Sequence, residues 1–379
     1  MATREGSDLK KPYAIIGDVI TLDNLRRFSV ARNFFKPTTL KSALERMSFV
    51  QADPIRAPAR AQDLILRQRV KNYHAGELER RYASLNIEED VFVNYGYVTK
   101  ALHALMHPRS GINGEEGKRR TGREELLLNY VRKRGEVHPR EVDEQFAHGK
   151  VTNYWGGSSN ATTRLLESMH YQGRLRVVRR EKGIRIYATR QQEGASIDAA
   201  ERRARVDELV NVVVRIYAPL SGTSLSTYVR RLRYAVPQWQ DELANALQRA
   251  KERLGHAHCQ GVEWYWPADE NVLVAAPDDA VRLLAPFDPV VHDRARFELF
   301  WGWAYRFEAY TPVAKRKLGY YALPLLWRDR VIGWGNVSVN NGELNSQFGY
   351  LPSQPRDRAF KQALAEEIEG LQRFLGLEP

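Results

Sequence analysis

A carboxamide and a carboxylate one residue apart, Gln51-Ala52-Asp53, are the best candidates for chemistry in this chain. Alternate residues of an extended strand share a face, so Gln51 and Asp53 are expected to project together, with Val50 and Ala52 opposite. Such a pair can hold one water molecule, the amide orienting it and the carboxylate taking its proton. A plainer reading has Asp53 cap the turn at Pro54 while Gln51 lies on a polar surface. The elements that must position the pair are legible around it. An amphipathic helix is expected from Leu40 to Met47 and a basic helix from Ala59 to Val70. Pro54 and Pro58 end the strand and favour the start of the second helix. Upstream, Thr21 is placed to cap a helix with Leu22, Leu25, Phe28 and Phe34 on one face. Downstream, Val91 to Met106 is aromatic and apolar, and His107 to Gly122 reads as a linker.

The 379 residues predict two or three domains, and an apolar fraction of 43% suffices for real cores. No run is long enough to cross a membrane, and Met1 to Lys11 lacks the apolar core of a signal peptide, so a cytoplasmic protein is expected. The net charge of +12, carried mostly by Arg, suits phosphate and base-edge contacts, although solvated basic helix faces would give the same composition. The single cysteine, Cys259, excludes a disulfide within the chain and a thiolate zinc site. His256 and His258 lack a nearby acidic ligand, so no metal is expected. Phosphate-loop, dinucleotide and nucleophile-elbow motifs are missing, and no cofactor is expected. Gly156-Gly157-Ser158-Ser159 precedes a helix and reads either as a backbone-phosphate site or as a plain capped turn.

Three segments follow from the pattern: 1–120 with the Gln-x-Asp pair, 121–195, and 196–379. The middle one reads helix (Arg123–Arg134), helix (Pro139–Phe146), helix capped by Ser159 or Asn160, then strands at 175–180 and 184–187. That is the winged-helix order, in which the third helix and the wing commonly meet DNA. Arg176, Arg179, Arg180 and Lys182 on this hairpin are the candidate DNA contacts, against the alternative of a solvated hairpin. The third segment repeats the helices (Ala200–Tyr217, from Ser224, Trp239–Leu254) and a strand at 261–266. Strands at 320–327, 331–339 and 343–350, the last two joined by Asn340-Asn341-Gly342, and a helix at 356–375 close the chain. The expected fold class is α+β, with three tandem winged-helix domains and a C-terminal β-rich extension. Two further runs stand out. In Phe287-Asp288-Pro289 and Asp293-Arg294, the aspartates are expected to pair with Arg294 or Arg316, fixing loops or forming a core ion-pair lattice. Lys315-Arg316-Lys317 lies between aromatics, a mixture used on nucleic-acid surfaces.

With these residues in hand, the chain resembles the bacterial winged-helix DNA glycosylases of the AlkZ/YcaQ type over about residues 20 to 350. The resemblance rests on Gln51-Ala52-Asp53 between early helices and on Trp155 followed by the capped helix and hairpin. It rests equally on Phe287-Asp288-Pro289, Asp293-Arg294, and the element from Tyr310-Thr311-Pro312 through Lys315-Arg316 to Gly319-Tyr320-Tyr321. It implies excision of N7-alkylated purines, unhooking of interstrand crosslinks, and Gln51 and Asp53 as the catalytic pair. The expected partner is double-stranded DNA carrying alkylated or crosslinked bases, with no obligatory protein partner. One departure bears on substrate range: Tyr97-Val98 stands where Gln-x-Asp members carry His-Glu, and His103 lies further along the same segment. The alternatives are a non-enzymatic tandem winged-helix transcriptional regulator and a family relative that has lost activity.

Overall fold

The computed structural model describes residues 19–109, 116–146, 149–152, 158–191 and 197–377. Local signals set the first elements. Thr21 and Asn24 form a capping box at the start of the helix Leu22–Asn33, and Thr39 caps the helix Leu40–Met47. Ser48, at φ 60°, then turns the chain into the strand Phe49–Gln51. That strand pairs antiparallel with Tyr95–Thr99, which pairs in turn with Ile87–Val91. Opposite Gln51 stands Gly96, where a Cβ would collide with the Val50 carbonyl oxygen. Only glycine lets the backbones approach that closely.

Several boundaries differ from the sequence expectation. The helix after Pro58 runs only from Ala61 to Leu66, with Arg60 as its cap. Val91 to Met106 is split by a turn at Phe92–Asn94 and a cap at Thr99 into the end of one strand, a second strand and the helix Lys100–Met106. The supposed linker begins in the interior, because Arg109 is 4% exposed and bonds Asp90 and the Ala235 carbonyl.

One topology occurs three times. A short strand follows a helix, two more helices come next, and a hairpin closes the unit. In each unit the short strand pairs with the second hairpin strand: Phe49–Gln51 with Tyr95–Thr99, Glu136–Val137 with Ile184–Thr189, and Leu220–Ser221 with Val262–Trp266. The hairpins are completed by Ile87–Val91, Leu175–Glu181 and Gly255–Cys259. The fold is thus a mixture of helices and antiparallel sheets. Its last part is a four-stranded meander of Val281–Leu283, Leu323–Trp327, Arg330–Asn340 and Glu343–Tyr350, packed against the helix Arg358–Leu375.

The cores cross the segment boundaries. One joins Leu40, Val50 and Tyr97 to Val177 and Tyr187 and to Leu283, Leu323 and Phe374. A second joins Leu25, Phe49 and Val98 to Val210, Leu225 and Trp264. Burying these side chains together is the main force that sets the units against one another. The C-terminal meander therefore shares a core with the first and central units.

Candidate active site

The strand of the pair ends at Gln51, and Ala52 donates one further ladder bond to the Tyr95 carbonyl. The chain then turns. Asp53 Oδ1 accepts from the Ile55 amide at 2.9 Å, and the Asp53 amide meets Gln62 Oε1 at 3.3 Å. The shared strand face expected for Gln51 and Asp53 is thus replaced by a strand end followed by an Asx-type turn at Pro54. This turn occupies one carboxylate oxygen. The second accepts no hydrogen bond among the described residues, which leaves it available to water. Gln51 is buried at 8% exposure, and Asp53 is half-buried. Burial raises the Asp53 carboxyl above its ordinary range, and the Ile55 amide offsets only part of that rise.

Two tyrosines from the C-terminal part feel the charge of this carboxylate. Burial and then the charge of Asp53 push up the hydroxyls of Tyr310 and Tyr321, which puts both rings within electrostatic reach of it. The Tyr321 hydroxyl is buried without a hydrogen-bond partner. Phe307 links the group, edge-on to Tyr321 at 5.1 Å, to Phe287 at 5.4 Å and to Tyr310 at 6.0 Å. Tyr310 and Val313 are nonetheless 78% and 76% exposed.

The loop that carries them is held by one carboxylate. Glu308 accepts from the amides of Lys317, Leu318 and Gly319. Burial opposes its charge, but these amides hold its carboxyl below the usual range. Gly319, at φ 120°, leaves no room for a Cβ, which would collide with Asn336 Oδ1. Arg316 bonds the Thr311 carbonyl and lies over the Tyr320 ring, whereas Lys315 and Lys317 extend into solvent.

The aspartates downstream have other partners than expected. Asp288 is fully buried and pairs with Arg69 at 2.8 Å, while its Oδ1 caps Val290. Arg69 also bonds the carbonyls of Asn33 and Ile65, so this is a lattice in the core. Asp293 caps the Arg296 amide at 3.1 Å. Arg294 donates to the carbonyls of Val291 and Pro286 and lies over Tyr305. These contacts anchor the helix Pro289–His292, and its last residue reaches back toward the first sheet. There Asn94 donates to Gln51 Oε1 at 3.1 Å and lies 3.3 Å from His292 Nε2. Neither Asn94 nor His292 carries a sequence signal on its own.

The basic hairpin of the central unit lies against the first unit. Arg180 meets Glu89 at 2.6 Å, and Arg176 lies 3.5 Å from Glu88. Glu88 also meets Arg190 at 2.9 Å. Arg179 pairs with Glu136 and Glu181. Lys182, at the turn, is exposed.

Tyr97 and Val98 are core residues of the middle strand, and His103 packs elsewhere. His103 stacks on His107 at 4.1 Å, and both rings face Asp90. Asp90, His103 and His107 bring three potential ligand atoms within 4.8 Å of one another. Arg109 holds the same carboxylate at 2.7 Å, so its charge is already matched by a guanidinium. His256 and His258 point outward from an exposed strand. Trp155 and the first two glycines of Gly156-Gly157-Ser158-Ser159 lie outside the described residues. Asn160 caps the helix Ala161–Tyr171.

The model of the DNA glycosylase AlkZ-like family matches residues 44–374. The chain belongs to that family of DNA glycosylases. Its structure is similar to that of the Streptomyces sahachiroi DNA glycosylase AlkZ, with a TM-score of 0.60 and 15% sequence identity over 94% of this chain and 97% of that one. At this identity the likeness speaks for the fold. No helix among the described residues is long and apolar enough to cross a membrane.

Proposed function

We propose that this protein is a monofunctional DNA repair glycosylase that hydrolyses the N-glycosidic bond of N7-alkylated purines in double-stranded DNA. The observation that carries the reading is the Asp53 carboxylate. It has one oxygen engaged in the turn, one oxygen open to water, and the rings of Tyr310 and Tyr321 within electrostatic reach of it. Alkylation at N7 makes the purine cationic, so the base departs without being protonated. As the C1′–N9 bond breaks, its electron pair goes to the base and positive charge develops on the sugar. Ionised Asp53 stabilises that charge and takes a proton from the water whose oxygen bonds to C1′. The amide of Gln51 orients the water. No amine attacks the sugar, so the product is an abasic site.

The exposure of Tyr310 and the half-buried position of Asp53 suit an open site, which supports action on bulky adducts and the unhooking of crosslinks. We read the three repeated units as winged helices spanning 1–120, 121–195 and the start of 196–379, with the meander as the β-rich extension. Lys182, Lys315, Arg316 and Lys317 are assigned to DNA phosphates. Arg176 and Arg179 keep partly exposed side chains for the rim of the same surface, and Arg180 is assigned to holding the units together. Asp288, Asp293 and Arg294 support the helix that ends at His292.

The test is incubation with a duplex carrying N7-methylguanine, followed by alkaline cleavage at abasic sites. The wild type is expected to yield nicks and Asp53→Asn to yield none. The wild-type rate is expected to fall on acidification through a pKa above that of an ordinary carboxylate, because Asp53 must be ionised. Equal rates for the two proteins would remove Asp53 from the mechanism.

A further inference from the structure

Gln51 can orient water in one way only if its amide cannot turn over. With the Asn94 amide oriented as it is in the structure, the partners along the row set which end of Gln51 faces which way. Asn94 occupies the turn between the strands Ile87–Val91 and Tyr95–Thr99, and its Nδ2 lies 3.1 Å from Gln51 Oε1 and 3.3 Å from His292 Nε2. An amide nitrogen has two hydrogens to donate and no capacity to accept. Nε2 of His292 must therefore be the accepting nitrogen, and its ring proton sits on Nδ1. That proton points to the Tyr228 oxygen, 2.6 Å away. A doubly protonated ring would set N–H against N–H at Asn94.

The setting enforces the neutral ring. Burial pushes His292 down to about 3, and Arg231, Arg294 and Arg296 push in the same direction. Tyr217 stacks on Tyr228 at 4.3 Å and flanks the histidine at 5.4 Å, holding both rings in place. Tyr228 is itself buried at 3% exposure. Each hydrogen bond in the row determines the next. Tyr228 accepts from His292, His292 accepts from Asn94, and Asn94 donates its other hydrogen to Gln51. The Gln51 oxygen is thereby turned to Asn94, and its NH2 end is the one presented. An NH2 group donates to the oxygen of a water, whose hydrogen is then directed to Asp53. With the amide reversed, the Gln51 oxygen would compete with Asp53 for the hydrogens of that water.

We propose that Asn94 and His292 are positioning residues that lock the amide of Gln51 with its NH2 group toward the attacking water. This rests on the glycosylase reading above. It assigns a task to the C-terminal half: Asp288 and Asp293 hold the helix that delivers His292 to a site whose candidate acid and amide belong to the first unit.

The experiment is single-turnover excision of N7-methylguanine from a duplex, with DNA affinity and melting temperature measured on the same proteins. His292→Ala and Asn94→Leu are each expected to slow excision on the order of ten- to a hundredfold, the size of effect that misplacing a reacting group produces. DNA affinity is expected to stay as in the wild type. The decisive comparison is made in a Gln51→Ala background, where either substitution is expected to add no further loss, because residues that act only through one side chain are not additive with its removal. Additive losses, or full activity in both single variants, would overturn the inference while leaving the glycosylase reading intact. No excision by the wild type would remove the reaction and the inference together. Asn94 lies in a half-exposed turn, so its leucine variant serves if His292→Ala does not fold.

Discussion

In the first unit the leading hairpin strand carries Glu88-Glu89-Asp90 into the interior, each at 2% exposure or less. In the central unit the equivalent strand carries Arg176, Arg179 and Arg180, with Arg174 just before it. Both strands belong to the same topology, and the two hairpins face each other. Glu89 receives Arg180 through two bonds and the Tyr95 hydroxyl through a third, with Arg185 nearby. Asp90 receives His107 and Arg109. Burial alone would raise the carboxyls of Glu89 and Asp90, yet the cations around them hold both below the usual range. A buried carboxylate is tolerated when it is paired and hydrogen-bonded. A hairpin rich in arginine therefore has two possible uses, and the choice between them depends on what another unit presents to it. Here the inner arginines hold units together, and the turn at Lys182 is left outward.

The sharpest way to break this contrast is to remove one acid and one arginine of different standing. Glu89→Ala leaves Arg180, with 13% of its side chain exposed, without its closest counter-charge. Stranding one partner of a buried pair costs about 3–5 kcal/mol. Arg179 is half-exposed and pairs with two equally exposed glutamates, so Arg179→Ala is expected to change stability by less than about 1 kcal/mol. Urea unfolding measures both. Equal effects would mean that the hairpin of the central unit is not fixed to the first unit.

A smaller effect is expected from pH. His103, His107 and His170 are buried, and burial pushes their pKa values down, in His170 to about 4. Unfolded, such a ring titrates near about 6.5. Below about 6.5 the unfolded chain therefore binds more protons, and stability falls as the pH drops. The depressed carboxyls of Glu89 and Asp90 act in the same direction further down: their contribution is present above the unfolded carboxylate pKa and is lost below it. Melting temperature against pH is expected to decline in two stages from neutrality. A melting temperature that rises between about pH 7 and 5 would contradict neutral histidines in this interface. Asn substituted for Asp90 should flatten the lower stage more than the upper one.

How much of this was legible before folding depends on how far apart the partners lie in the chain. The caps at Thr21 and Asn160 and the Asn341-Gly342 turn, at φ 53° and 84°, are decided by neighbours, and the sequence placed them correctly. The Gln-x-Asp spacing marks the stretch where the first strand ends, but the shared strand face expected of it stops short of Asp53, where a bond to Ile55 two residues on competes with the ladder. Asp288 finds Arg69 across 219 positions, and Arg180 finds Glu89 across 91. No periodicity encodes such partners. A clue did exist for the second pair: three consecutive acids between Ile87 and the apolar Val91-Phe92-Val93 are unusual for a strand unless cations meet them. Asn94 had no such clue, since asparagine in a hairpin turn is ordinary.

The smallest expected effect sharpens the contrast at the DNA surface. If the inner arginines of the central hairpin are engaged internally, the salt dependence of DNA binding should depend on the exposed lysines and the arginines at the rim instead. Removing one cation from a phosphate lowers the slope of log affinity against log salt by about one. Lys315→Ala and Lys317→Ala, in the loop anchored by Glu308, are each expected to do so, and to weaken binding without regard to base sequence. Lys182→Ala is expected to do the same from the tip of the central hairpin, whose Gly183 sits against Arg60 of the first unit. Arg180→Ala is the informative control. Its guanidinium is held by Glu89, so any loss of affinity should come through lower stability and leave the slope unchanged. A slope reduced by Arg180→Ala, with unchanged melting temperature, would return the inner side of the central hairpin to the DNA surface and reverse the contrast between the two hairpins.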